Sequence, residues 1–265
     1  MAKIGLQLYS LRNVLDAENF NEIIREVGEV GYDGVEFYKF YNKPTSEVKS
    51  VLNDYELESI SSHVAIDKLR EDFDETLEYH EEIGCDTIIV PYLPAENFES
   101  RSTIRETSDE LSELAEKASA RGFDFGYHNH WHEFFTLDGT TAFKVFAKEV
   151  PNSVGLQPDV GHVQRGGIDP VGLLKELDNR FVSFHIKDIG GKKGVDIPLG
   201  GELTVEEAEK LGGKFEDVRL GNGVVDLPGV LDLGEKLGVS WFIVEDESAE
   251  DLEAVDIDYK YLDSL

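Results

Sequence analysis

The chain has 265 residues, 40% of them hydrophobic, and carries 55 Asp plus Glu against 25 Lys plus Arg, a formal charge of −30. That length and apolar content support one large buried core and exclude a disordered chain. The charge repels phosphate backbones and anionic membrane surfaces, so neither a nucleic acid nor a membrane is expected as a partner.

Short β-like runs alternate with longer helical runs. A strand is predicted over 3–9, then a helix near 19–30 that stops at Gly31. The second strand is 34–37, with a helix near 46–54 behind Pro44. The third strand, 58–64, precedes a helix over roughly 72–83 that Gly84 closes. The fourth, 86–91, precedes a helix over 103–120 that ends at Gly122. The fifth strand is 124–128, with a helix near 141–148; the sixth is 154–159, with a helix opened by Asp169 and Pro170 and running to 178. The seventh strand is 181–186, and a helix over 226–236 ends at Gly238. The eighth strand is 240–245, and the tail forms a last helix near 258–265. Gly closes helices because it tolerates left-handed backbone angles, and Pro opens one because its fixed φ suits the first turn.

Strict alternation calls for parallel strands with helical crossovers. Eight such units in this length match a single-domain α/β fold, a (β/α)8 TIM barrel spanning 1–265. An open doubly wound sheet is the rival, but no Gly-rich phosphate loop follows the first strand. One connection is long, 188–225, rich in Gly, with a short helix expected at 205–211; it reads as a lid-like loop or as a decorative insertion.

Cys85 is the single cysteine, so no intrachain disulfide can form and a reducing, cytoplasmic setting is expected. Following Gly84 and preceding an apolar run, it reads as a small buried filler. A strand pattern starts almost at once, so neither a signal peptide nor a spanning segment is expected. Acidic runs such as 72–82 and 106–116 fall on helices and should face solvent. Acidity of this degree resembles that of proteins from salt-accumulating, halophilic archaea, where screening relieves self-repulsion.

In such barrels the active site lies at the C-terminal ends of the strands. There the chain places Gln7 and Tyr9, Glu36, His63, Pro91 and Tyr92, then His128 to Glu133, Asp159 and His162, His185 and Lys187, and Glu245. Buried carboxylates are costly unless paired or bound to metal. Carboxylate plus imidazole without cysteine suits Mn²⁺, Mg²⁺, Co²⁺ or Zn²⁺. The ligand set read from these ends is Glu133, Asp159, His185 and Glu245. Each has a plain alternative: Asp159 as a helix cap, His185 as a core histidine, Glu245 as a surface acid. Glu36 points toward the barrel mouth under strand alternation, or pairs with a lysine. His128, His130 and His132 alternate and share a face in an extended chain, so one or two could serve the substrate.

The stretches 5–12 (GLQLYSLR), 31–37 (GYDGVEF), 61–63 (SSH), 127–130 (YHNH) with Glu133-Phe134, 159–162 (DVGH), 185–188 (HIKD), 221–226 (GNGVVD) and Val244-Glu245 resemble the xylose-isomerase-like superfamily of barrels, most closely its sugar phosphate isomerase/epimerase group. The resemblance covers nearly the whole chain and implies one divalent metal ion, Mn²⁺ first, with a small carbohydrate as substrate and a homodimer as assembly. Relatives that epimerise ketoses hold the metal with Glu, Asp, His and Glu from strands five to eight. Asp159, His185 and Glu245 map onto that pattern, and His162 onto a substrate-binding histidine. Simple strand alignment puts His128 where the fifth-strand Glu belongs, with Glu133 a few residues later; Glu133 is the expected ligand, with His128 or His130 as replacements.

The implied activity is a metal-dependent sugar isomerase or epimerase working through an enediolate. Glu245 or His128 would remove the proton, Lys187 and His63 would steady oxyanion charge, and Glu36, His63, His130 and His162 would bind substrate. Lys187 could instead pair with Asp159 or Glu36. Rival readings are a lyase that dehydrates a keto-sugar or keto-inositol, as inosose dehydratase does, and a non-catalytic sugar or metal binder. An abasic-site nuclease is disfavoured by the charge.

Overall fold

The computed structural model describes residues 2–177, 180–191 and 203–265. The short apolar runs form eight parallel strands: β1 Lys3–Gln7, β2 Gly34–Phe37, β3 Glu58–His63, β4 Thr87–Val90, β5 Asp124–His128, β6 Gly155–Gln157, β7 Phe184–Ile186 and β8 Trp241–Val244. Their order is β6-β5-β4-β3-β2-β1-β8-β7. Bridges Leu156–Phe181 and Asp159–His185 join the two ends, so the sheet closes into the expected barrel. The second of these bridges sets two predicted ligands side by side through backbone geometry alone.

The helices are α1 Phe20–Val30, α2 Thr45–Asp54, α3 Ile66–Ile83, α4 Arg101–Ser119, α5 Ala142–Glu149, α6 Val160–Arg165, α7 Pro170–Glu176, α8 Val205–Gly212, α9 Leu227–Leu237 and α10 Leu252–Asp263. Gly31, Gly84 and Gly238 end helices in left-handed conformation, as predicted. Among the described residues no helix is long and apolar enough to cross a membrane. The helices' apolar faces pack on the sheet, for example Phe20, Ile24 and Val27 of α1 and Ile104, Leu111 and Ala118 of α4.

Four expectations needed revision. β1 stops at Gln7 because that side chain accepts the Tyr9 amide at 3.0 Å and starts a 3-10 turn, Leu8–Leu11. α3 begins six residues early, and its one non-helical residue is Asp72, where the sequence placed the start. α10 begins at Leu252 because Asp251 accepts the Ala254 amide and caps it. α6 was not expected: its cap is Asp159 itself.

The insertion after β7 is partly built into the barrel mouth. Asp188–Gly191 pairs antiparallel with Phe215–Val218. The buried Asp188 carboxylate accepts the backbone amides of Ile189, Gly221, Gly223 and Val225, pinning both ends of the loop. The helix expected at 205–211 is α8, and it packs on Trp131: a Cβ at Gly212 would sit 2.2 Å from the indole Nε1. The lid reading falls largely on 192–202, which lie outside the described residues, as does the predicted helix end at 178.

Cys85 is buried, and burial pushes its thiol up to about 12. It should therefore resist thiol reagents at neutral pH in the native state and react only on unfolding. Labelling that proceeds equally fast with and without denaturant would contradict this packing.

Candidate metal centre

The side chains at the strand ends meet in one polar knot. His128 from β5, Asp159 after β6, His185 on β7 and Glu245 after β8 each offer a ligand atom, and these four atoms lie within 4.8 Å of one another. All four residues are buried. Asp159 serves two ends at once. Its Oδ1 accepts the His162 amide at 2.7 Å and caps α6. Its Oδ2 is buried without a hydrogen bond, 3.3 Å from the Lys187 ammonium and 3.9 Å from His128 Nε2. The cap reading and the ligand reading of this residue are thus compatible, one oxygen each.

Glu36 holds the knot from below. Its Oε1 accepts from Gln7 Nε2 and His185 Nε2, both at 2.6 Å, and lies 3.1 Å from His63 Nε2. Its Oε2 accepts from Ser61 Oγ at 2.5 Å and Gln157 Nε2 at 2.6 Å. Burial raises a carboxylate's pKa, but His63 and His185 outweigh it and hold Glu36 well below the usual range. Glu36 was expected to touch substrate; with both oxygens filled and no exposure, it instead orients His185. The Gln157 amide is fixed too: its NH2 donates to Glu36 and Ser183, and its carbonyl accepts from His63 Nε2 at 2.8 Å and His128 Nδ1 at 3.1 Å. That bond leaves His128 Nε2 as a free lone pair, and burial keeps the ring neutral.

His185 is the exception among the histidines. Burial opposes its charge, but the Glu36 carboxylate and the hydrogen bonds to Glu245 and Glu36 lift it to about 10. Its Nδ1 lies 2.7 Å from Glu245 Oε2. Burial raises Glu245, yet Lys187 and then His185 keep it ionised. Lys187 is buried, with its Nζ 2.7 Å from Glu247, 3.2 Å from His162 Nε2 and 3.4 Å from Glu245 Oε1. Of the two roles expected for it, a substrate oxyanion or a pair with Asp159 or Glu36, the structure shows the pair with Asp159 at 3.3 Å, within a ring of carboxylates. Gly161 permits this path, since a Cβ there would meet Lys187 Cγ at 2.7 Å.

Glu133, expected as the fifth-strand ligand, is outside the donor group. Its Oε1 accepts from the Tyr127 hydroxyl at 2.7 Å and the His130 amide at 2.8 Å. Burial pushes its carboxyl well above the usual range, and its Oε2 is buried without a hydrogen bond. The donor group contains His128 in its stead, the replacement that strand alignment allowed.

Above the knot opens a cavity of about 490 Å³ whose wall includes Tyr9, Tyr92, His63, His130, Trp131 and Glu245. His128 and His162 also reach it. Burial drives the His130 and His162 rings well below the usual histidine range, so both are neutral. His130 stacks on His162 at 4.4 Å. Gln157, Ser61, Trp131 and Glu247 were missed as site residues. Gln157 and Ser61 each stand two residues before a candidate, Asp159 and His63, and strand alternation would have put them on the same face.

The donor chemistry fits a divalent cation. Two neutral or displaceable imidazole nitrogens and two carboxylates converge, and one carboxylate oxygen lacks a hydrogen bond. If Glu36 orients His185 for such an ion, Glu36→Gln should weaken metal binding by about 10–100-fold, the usual cost of losing an outer partner. Unchanged affinity in a metal titration would remove Glu36 from that role.

A second buried pair lies behind the site. Asp258 on α10 accepts the Leu220 amide at 2.9 Å and faces Asp246, the residue after Glu245. Burial first, and then Asp246, raise the Asp258 carboxyl to about 8. An unfolded Asp titrates near ~4, so between these values the folded chain holds a proton that the unfolded chain releases. Stability should therefore fall as pH rises through that window and level off above it. Asp258→Asn should flatten this dependence in urea midpoints; an unaltered slope would exclude Asp258 as its source.

Fold and centre together define a (β/α)8 barrel with a His/Asp/Glu cluster at its C-terminal mouth that could hold a metal ion. A family profile described as "Xylose isomerase-like TIM barrel" matches residues 24–265, and the chain belongs to that family. An inosose dehydratase of Bacillus cereus (strain AH820) is 28% identical over 257 residues, covering 88% of this chain and 84% of that protein. Among solved structures, a sugar phosphate isomerase/epimerase from Parabacteroides distasonis ATCC 8503 superposes with a TM-score of 0.77 at 22% identity, covering 98% of this chain and 93% of that one. The IolI protein, solved with a zinc atom, superposes with a TM-score of 0.73 at 17% identity, covering 99% and 95%.

Proposed function

We propose that this chain is a divalent-metal-dependent enzyme that removes a proton beside the carbonyl of a keto-sugar or keto-inositol and then expels the β-hydroxyl as water. The observation that carries the reading is the four-residue donor group with Glu245 open to the cavity. The lyase outcome is preferred over isomerisation because the curated relative at 28% identity is a dehydratase, whereas the isomerase/epimerase likeness lies at 22% and speaks for fold.

His128, Asp159, His185 and Glu245 would hold the ion, and two imidazoles with two carboxylates suit Zn²⁺, Mn²⁺ or Co²⁺ better than Mg²⁺. When bound, such an ion acts as a Lewis acid that polarises a carbonyl and acidifies the neighbouring C–H. Glu245, kept ionised by Lys187, accepts that proton. The neutral rings of His130 and His162 line the same wall and hydrogen-bond the sugar hydroxyls. The leaving hydroxyl takes the proton that Glu245 accepted and departs as water, with a C=C bond formed where the C–H and C–O bonds break. Tyr9, Tyr92 and Trp131 give the cavity the aromatic walls on which sugar C–H faces pack.

The test is incubation of the metal-loaded protein in D₂O with a panel of keto-sugars and inosose, followed by NMR. Deuterium uptake with loss of water supports the lyase; uptake with return to an epimer or aldose supports the isomerase that the sequence resemblance implies. No uptake with any member rejects enolisation.

A further inference from the structure

Beside the metal cavity lies a second one of about 410 Å³. The two are contiguous: Tyr38, His63 and Ala65 stand in the walls of both. His63 is also hydrogen-bonded to Gln157 and within 3.1 Å of Glu36, so the shared wall is part of the metal centre itself. The second cavity is flanked by the rings of Phe40 and Tyr79, whose centroids are 4.6 Å apart, and by Tyr38.

Two of its lining side chains carry buried polar atoms without a hydrogen-bond partner, Thr76 Oγ1 and His80 Nε2. His80 Nδ1 donates to the Thr76 carbonyl at 2.6 Å, which leaves Nε2 as a lone-pair acceptor. Burial holds that ring neutral. Aromatic walls with a few unsatisfied polar atoms are the features of a small-molecule subsite. Lys68, at the rim, is already paired with Asp72 at 2.6 Å, which argues against an anionic occupant.

We infer that the substrate is a two-ring molecule: the ring that reacts sits over the metal centre, and a second ring with an apolar face and hydroxyls, a sugar or an aromatic aglycone, occupies the Phe40–Tyr79 pocket. This rests on the carbohydrate reading of the main cavity. Of the substrate classes proposed above, it selects a keto-sugar carried as a glycoside. Ring stacking of this kind contributes roughly a tenfold gain in affinity.

The experiment is calorimetry of the metal-loaded protein with methyl, phenyl and glucosyl glucosides, which carry the same first ring. The phenyl or the glucosyl compound should bind about tenfold tighter than the methyl compound, and which of the two does so tells aglycone from sugar. Glu75→Trp, at an exposed position lining only the second pocket, should reduce that ratio to near one. Tyr79→Leu should do the same by removing a wall. Equal affinity for all three glucosides, binding of none, or a ratio that survives both substitutions overturns the inference. Tight glycoside binding without any C–H exchange in the keto-sugar panel counts against the enolisation chemistry alone and leaves the subsite standing.

Discussion

Glu245→Gln is expected to slow deuterium uptake at the substrate's acidified carbon by about 10²–10⁴-fold, the usual worth of a positioned proton acceptor. The reason lies in the position of the carboxylate. It opens into the cavity, it directly follows β8, and Lys187 at 3.4 Å with His185 at 2.7 Å keeps it ionised despite burial. An amide keeps the size and a coordinating oxygen but cannot take a proton. The readout is NMR exchange on the metal-loaded variant, beside a metal assay showing that the ion is still held. Undiminished exchange would move the base to one of the cavity histidines.

Loss of the ion should be the result of changing Asp159. Asp159→Asn keeps an N-cap for α6 through its side-chain oxygen while deleting the charge that faces the centre. Metal affinity should fall by more than about 100-fold, beyond the loss of an outer partner. Asp159→Ala should lose metal equally and, lacking the cap, also lose about 1 kcal/mol of stability. The contrast between the two variants separates the oxygen that caps from the oxygen that ligates. If both retain full metal content, the donor group is structural.

The barrel was legible because its signals are local. Strand runs, Gly stops and Pro starts fall within a few residues of the observed bounds, and β2 and β5 match outright. Asp159, His185 and Glu245 were legible because each lies at or just past the C-terminal end of a strand, and that is where such a barrel gathers its site. Glu133 misled because spacing cannot show which way a chain turns after a strand. The 3-10 turn Trp131–Phe134 carries its carboxyl back to Tyr127 and the His130 amide, away from the centre. The role of Glu36 was hidden, and that of Lys187 left open between substrate and Asp159, for a different cause. Both stand at the expected height in the barrel, but their partners come from other strands: Gln7, Ser61, Gln157 and His185 for one, Asp159, His162 and Glu247 for the other. Such non-local pairing decides whether a charge meets substrate or another side chain.

The most direct test is anomalous diffraction from crystals of protein loaded with Zn²⁺ or Mn²⁺. The account predicts one strong peak at about 2.0–2.3 Å from His128 Nε2, an Asp159 oxygen, a His185 nitrogen and a Glu245 oxygen, with Glu133 still bound to Tyr127. A peak coordinated by Glu133 in place of His128 would contradict the donor assignment. No peak at the barrel mouth would contradict metal chemistry in this chain altogether.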